Sequence, residues 1–159
     1  MSLPTTAPAT LDRAAIAALI PHSGAMSLLD RLDRWSDSHV VCTATNHRDA
    51  AHPLRSASGL QSCTAIEYAA QAMAVHGALT AQAAGRGASP GYLASVRAVR
   101  LETARLDDLP PACPDELTIE AERQAGDGER IVYAFTVSHD GRAIASGRAA
   151  VVLNNTPPR

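Results

Sequence analysis

Lysine is absent, so all 14 basic residues are arginine, and against 16 acidic residues they leave a formal charge of −2. That balance gives no basic footprint for nucleic acid or an anionic membrane surface. Alongside abundant alanine, the missing lysine records a GC-rich coding sequence. Cysteine is scarce and odd in number. Cys42, Cys63 and Cys113 have no CxxC spacing, which argues against a disulfide framework or a zinc site and leads us to expect a reducing cytoplasm. The start lacks a basic n-region, and the apolar run Ala14 to Ile20 is short and follows Asp12 and Arg13, so no export signal is expected. There is no internal repeat. A length of 159 residues with 46% hydrophobic and 19% charged side chains fits one domain with a sizeable core, with residues 1–9 and 154–159 expected as flexible tails.

What the chain does have is one long apolar stretch, Ser56 to Gly85, in which Glu67 is the only Asp, Glu, Lys or Arg. From about Ser62 its Ala, Gln, Met and Leu favour helix, and Gly85 and Gly87 stop it. Ala65, Ile66, Ala69, Ala70, Met73, Ala74 and Val75 point in most directions, the pattern of a helix surrounded by protein. Gln61, Glu67, Gln71, His76 and Gln82 are too many polar groups for a membrane span, so no membrane insertion is expected.

Before this helix, Thr10 is expected to cap a short helix through Leu19, a lid or plug ended by Pro21. A hairpin follows, turning at Ser36 to Ser38 into His39–Thr45, and the polar loop from Asn46 to Gly59 carries His47 and His52. After the helix, Tyr92 to Leu101 reads as a strand. Leu117, Ile119 and Ala121, then Ile131, Tyr133, Phe135 and Val137, alternate with more polar or smaller residues, and Asp140-Gly141 is a hairpin turn into Ala143–Leu153. An α+β domain is implied, its antiparallel sheet curled around the helix. One sheet leaves part of that helix and an edge strand uncovered, which predicts a homodimer.

Ile20-Pro21-His22 with Leu28-Leu29-Asp30-Arg31, Ile66-Glu67-Tyr68-Ala69-Ala70-Gln71, and Tyr92-Leu93-Ala94-Ser95-Val96 resemble three motifs of the hotdog-fold 3-hydroxyacyl-acyl carrier protein dehydratases. The resemblance covers roughly residues 18 to 153, and the Ile-Glu-Tyr-x-x-Gln form is most similar to the branch associated with aryl polyene and related pigment biosynthesis. It implies dehydration of a 3-hydroxyacyl group carried on the phosphopantetheine of an acyl carrier protein, with no metal or other cofactor. It also implies a catalytic pair, a histidine on the loop before the helix and an acidic residue inside it, which His52 and Glu67 match, the two coming from different subunits of a dimer.

Such chemistry needs a base for the C2 proton and an acid for the departing C3 hydroxyl, tasks for which imidazole and carboxylate are suited. The thioester oxygen gains enolate character and needs donors. The backbone N–H groups of Ser62 or Cys63 at the helix start are candidates, and Gln71 lies one turn after Glu67 on the same face. Cys63 is otherwise expected as a small buried hydrophobe. A structural ion pair of Glu67 with Arg97 or Arg100 is the bland alternative, and His47 rivals His52. His22, His39, His76 and His139 are expected to be structural or solvent-facing. Arg55, Arg86, Arg97 and Arg100 are candidates for meeting an acidic carrier. Two other functions stay open. One is an acyl-thioesterase on the same fold; the other is a non-catalytic acyl-binding partner subunit, suggested where His52-Pro53-Leu54-Arg55 and Gln61-Ser62 replace the family's Pro-Gly elements.

Overall fold

The computed structural model describes residues 10–87 and 89–153, so the expected tails at 1–9 and 154–159 lie outside the described residues. The elements in chain order are β1 (Leu11–Asp12), α1 (Arg13–Leu19), β2 (Arg31–Trp35), β3 (His39–Ala44), α2 (Thr64–Ala83), β4 (Gly91–Leu101), β5 (Leu117–Gly126), β6 (Arg130–His139) and β7 (Arg142–Leu153). A single 3₁₀ turn, Gly24–Met26, lies between α1 and β2. All strands pair antiparallel in the order β1-β2-β3-β5-β6-β7-β4.

The short first helix differs from expectation at its start. Leu11 and Asp12 are drawn out to pair with Leu32 and Arg31, so the helix begins at Arg13 and its cap is Asp12, whose Oδ1 accepts the Ala15 N–H at 2.9 Å. Nor is α1 a loose lid. Ile16 is fully buried in the core, a burial that contributes about 2 kcal/mol, and Arg13 is clamped to Asp30 at 3.1 Å.

The β5–β6–β7 meander follows its alternation: Leu117, Ile119, Ala121, Ile131, Tyr133, Phe135 and Val137 are buried. At the β6–β7 turn both Asp140 and Gly141 adopt positive φ, +49° and +76°, the conformation that Asp-Gly favours in a two-residue hairpin. The helix α2 packs against β3, β5 and β6, burying Tyr68, Ala69, Ala72, Val75 and Leu79 among them. The β7–β4 end of the sheet stands away from it. Among the described residues β4 bonds to β7 on one side only; it carries a bulge between Arg97 and Arg100 where Ala98 has φ +52°, and leaves Tyr92 61% exposed with Leu93, Val99 and Leu101 also open.

Just before α2 the chain must pass close to Asp107. Gly59 sits at φ +98°, and a Cβ there would come within 2.8 Å of both Asp107 carboxylate oxygens. The missing side chain lets Asp107 accept the Leu60 N–H at 3.0 Å and so fixes where the helix begins.

Candidate active site

Between α2 and the lifted β7–β4 end of the sheet lies a cavity of about 690 Å³. One wall is a stripe of α2, Glu67, Ala70, Ala74, Gly77, Ala78 and Ala81, at the three- and four-residue spacing of one helical face. Tyr92, Leu93, Val151 and Leu153 supply the opposite wall. From Glu67 to Ala81 the stripe runs about 21 Å at 1.5 Å per residue. Small side chains on the helix make the space, and Glu67 is the carboxylate that the helix puts at one end of it; Asp127, Arg86 and Arg123 line it as well.

Glu67 is tightly held. Its Oε1 accepts the Gln71 Nε2–H at 3.0 Å and lies 3.2 Å from His22 Nε2, whereas Oε2 has no partner among the described residues. Gln71, fully buried, also donates to the Met26 carbonyl at 2.8 Å and accepts the Leu28 N–H at 2.9 Å through Oε1. These contacts fix the amide orientation, since the Leu28 N–H must meet the oxygen and the Met26 carbonyl must meet the nitrogen. The alternative partners do not reach Glu67: Arg100 pairs with Glu102, and Arg97 projects from exposed β4. His22, read from sequence as structural or solvent-facing, is thus beside the carboxylate and lines the cavity.

His52 has different company. Its Nδ1 accepts the Leu54 N–H at 3.1 Å, so the ring proton sits on Nε2 and is donated to the Tyr68 hydroxyl at 3.0 Å; Tyr68 in turn donates to Asn46 Oδ1 at 2.5 Å. The imidazole is 4% exposed, and desolvation lowers its pKa. Burial likewise pushes the Tyr68 hydroxyl pKa up. His52 and Glu67 do not hydrogen-bond within one chain, because adjacent residues 67 and 68 leave the helix in different directions and His52 meets the second.

Of the proposed oxyanion donors, the Ser62 N–H is already taken by the Ala104 carbonyl at 3.1 Å. The Cys63 N–H has no acceptor among the described residues, and Cys63 is exposed rather than the small buried hydrophobe expected. The three cysteines are free thiols. His47, the rival of His52, is fully buried and faces Asp115 with His139: the two Nε2 atoms lie 3.2 and 2.8 Å from Oδ1. This trio has the donor types of a metal site. Its cation, however, is Arg48, whose Nε lies 2.6 Å from Asp115 Oδ2 and whose Nη2 reaches Oδ1. His76 is structural, accepting the Tyr133 hydroxyl at 2.8 Å and donating to the Ser36 carbonyl.

Burial lowers the pKa of His47, His52 and His76 below the ordinary 6.5. The unfolded chain therefore binds protons near pH 6 that the folded chain refuses, and stability falls as pH drops below 6.5. A second loss is expected below 3.8. There the unfolded chain's carboxylates take up protons that the folded chain resists at Asp115, held well below the usual carboxylate range by Arg48, and at Asp107, held at about 2 by its bonds to Arg105. Thermal unfolding from about pH 7.5 to 3 should show two steps. A flat midpoint between about pH 7.5 and 5.5 would mean the three imidazoles can charge inside the fold.

The family model for ApeP-like proteins, described as ApeP dehydratase, matches residues 14–157. The chain belongs to the ApeP-like dehydratase family. Among solved structures, the ApeP-like chain is similar to one in the dehydratase heterocomplex ApeI:P from Xenorhabdus doucetiae, at 26% identity and TM-score 0.77, with 89% of this chain and 91% of that one covered. It also resembles a hypothetical thioesterase with coenzyme A from Streptococcus pneumoniae TIGR4 (13% identity, TM-score 0.54, coverage 80% and 87%). A mutant thioesterase from Pseudomonas aeruginosa is another match (12%, 0.56, 77% and 79%). The latter two share the fold alone, and with the ApeP-like match they identify the curled sheet around α2 as the hotdog fold. No curated protein matches the chain. No helix among the described residues is long and apolar enough to cross a membrane.

Proposed function

We propose that the chain dehydrates a 3-hydroxyacyl group, held as a thioester on the phosphopantetheine of an acyl carrier protein, to the trans-2-enoyl thioester in aryl polyene biosynthesis. The observation that carries this reading is an acyl-sized cavity, walled along α2 by small side chains, at one end of which Glu67 stands with its Oε2 unpartnered among the described residues. In the reaction a base takes the C2 proton, the C2–H electron pair becomes the second C2–C3 bond, and the C3 hydroxyl leaves as water with a proton from an acid. Glu67 of one subunit and His52 of a second copy are assigned these two transfers. For this, His52 Nε2 must exchange the Tyr68 hydroxyl for substrate. The Cys63 N–H is the open donor for the thioester oxygen. The dehydration involves no net oxidation or reduction, so the chemistry calls for no redox group, and the three free thiols suit the reducing cytoplasm.

The homodimer in this reading is supported by the open edge and exposed apolar side chains of β4. Arg86 lines the cavity, and Arg97 and Arg100 stand on exposed β4, places from which arginine can meet an acidic carrier. Arg55 is instead paired with Asp107.

One observation favours a second reading. Both ring nitrogens of His52 are engaged inside its own chain, which suits an acyl-binding subunit that works with a different dehydratase chain, and a similar chain belongs to a dehydratase heterocomplex. Mass spectrometry of carrier-bound product separates the cases. Loss of water by the purified chain alone is the expected result. Release of the carrier thiol would show a thioesterase, and dehydration only after a second hotdog chain is added would establish the partner-subunit reading.

A further inference from the structure

We infer that His22 is the positioning residue for the Glu67 carboxylate, a role that rests on the dehydratase reading of the same site. His22 lies on the segment after α1, far in sequence from Glu67, yet its Nε2 is 3.2 Å from Glu67 Oε1. Gln71 Nε2 reaches the same oxygen at 3.0 Å. Two N–H groups converging on Oε1 fix the rotation of the carboxyl group and leave Oε2 as the atom available to the cavity, which both Glu67 and His22 line.

The other ring nitrogen tells which form His22 takes. Nδ1 is buried and has no hydrogen-bond partner among the described residues. A proton there would be a buried donor without an acceptor, so the proton belongs on Nε2, where Glu67 receives it. In that tautomer His22 has no proton to give to substrate without releasing the carboxylate. Its contribution is therefore orientation, shared with Gln71, whose own position is set by Met26 and Leu28 on the same segment.

The test compares His22→Ala with His22→Gln, because the glutamine amide nitrogen can stand where Nε2 stands. Removing the donor should lower kcat about tenfold, the effect of one hydrogen bond to a charged group, with KM within about twofold of wild type. His22→Gln should recover most of that loss. An unchanged kcat in His22→Ala, a change confined to KM, or a glutamine variant as impaired as the alanine one would each overturn the assignment. Nitrogen-15 NMR of the wild-type imidazoles gives a reading that does not depend on the variants folding or on activity. The Nε2–H tautomer is expected for His22, with its signal displaced in Glu67→Ala, and a proton on Nδ1 would overturn the pairing. If the wild-type chain dehydrates no carrier thioester, the functional reading fails, while the NMR result still decides whether His22 holds Glu67.

Discussion

Glu67→Gln should lower turnover by about 10²-fold or more while leaving the fold and its assembly intact. The amide has the shape of the carboxylate and keeps an oxygen where Oε1 accepts from Gln71 and His22, so the local hydrogen bonds have a way to persist. What it loses is the capacity to take up and return a proton at the cavity end. General acid–base catalysis by one positioned group contributes about 10²–10⁴-fold, and the expected loss lies at the lower edge of that range. Steady-state kinetics with a carrier-bound 3-hydroxyacyl substrate, together with the unfolding midpoint, provides the check. A lowered midpoint with turnover unchanged would make Glu67 a structural residue that ties α2 to the segment around His22.

The second large effect concerns the division of labour between subunits. His52→Ala and Glu67→Ala homodimers should each be inactive, yet when mixed and allowed to exchange they should regain roughly a quarter of wild-type activity. Random exchange makes about half of the dimers mixed, and each mixed dimer holds one site with both residues and one with neither. The structure makes the experiment informative, because within a single chain His52 binds Tyr68 and Glu67 binds His22 and Gln71. No recovery, with exchange verified by native mass spectrometry, would exclude a site shared between two copies and leave both residues to be supplied by one chain.

The parts of the fold written as local patterns were legible in the sequence. The uninterrupted helix formers of α2, the alternation along β5 and β6, and the Asp140-Gly141 turn all depend on neighbours within a few residues, and each is seen where expected. Gln71 beside Glu67 was legible for the same reason, being one turn apart on one helix. What was not legible depends on distant residues. β1 exists only because Leu32 and Arg31 are there to pair with it, and that pairing moves the helix cap from Thr10 to Asp12. His22 meets Glu67 across 45 residues, with no periodicity to announce it, and the Pro21-His22 opening is the one local signal that marks it. Tyr68 stands in the sequence only as part of the Ile66-Glu67-Tyr68 motif, and nothing local announces that its hydroxyl engages His52, 16 residues away.

Arg48 also has a consequence for the segment that bears His52. Besides Asp115, it donates to the carbonyls of Asp107, Leu109 and Pro110, so one guanidinium fastens the 46–48 segment to the 107–110 loop and to the approach to β5. His47 and His139 tie the same carboxylate to the end of β6. Lysine, with a single ammonium in place of the planar fork, could not span these acceptors together. The conformational freedom of the segment bearing His52 is therefore lost once, when the chain folds, and not again at every catalytic cycle.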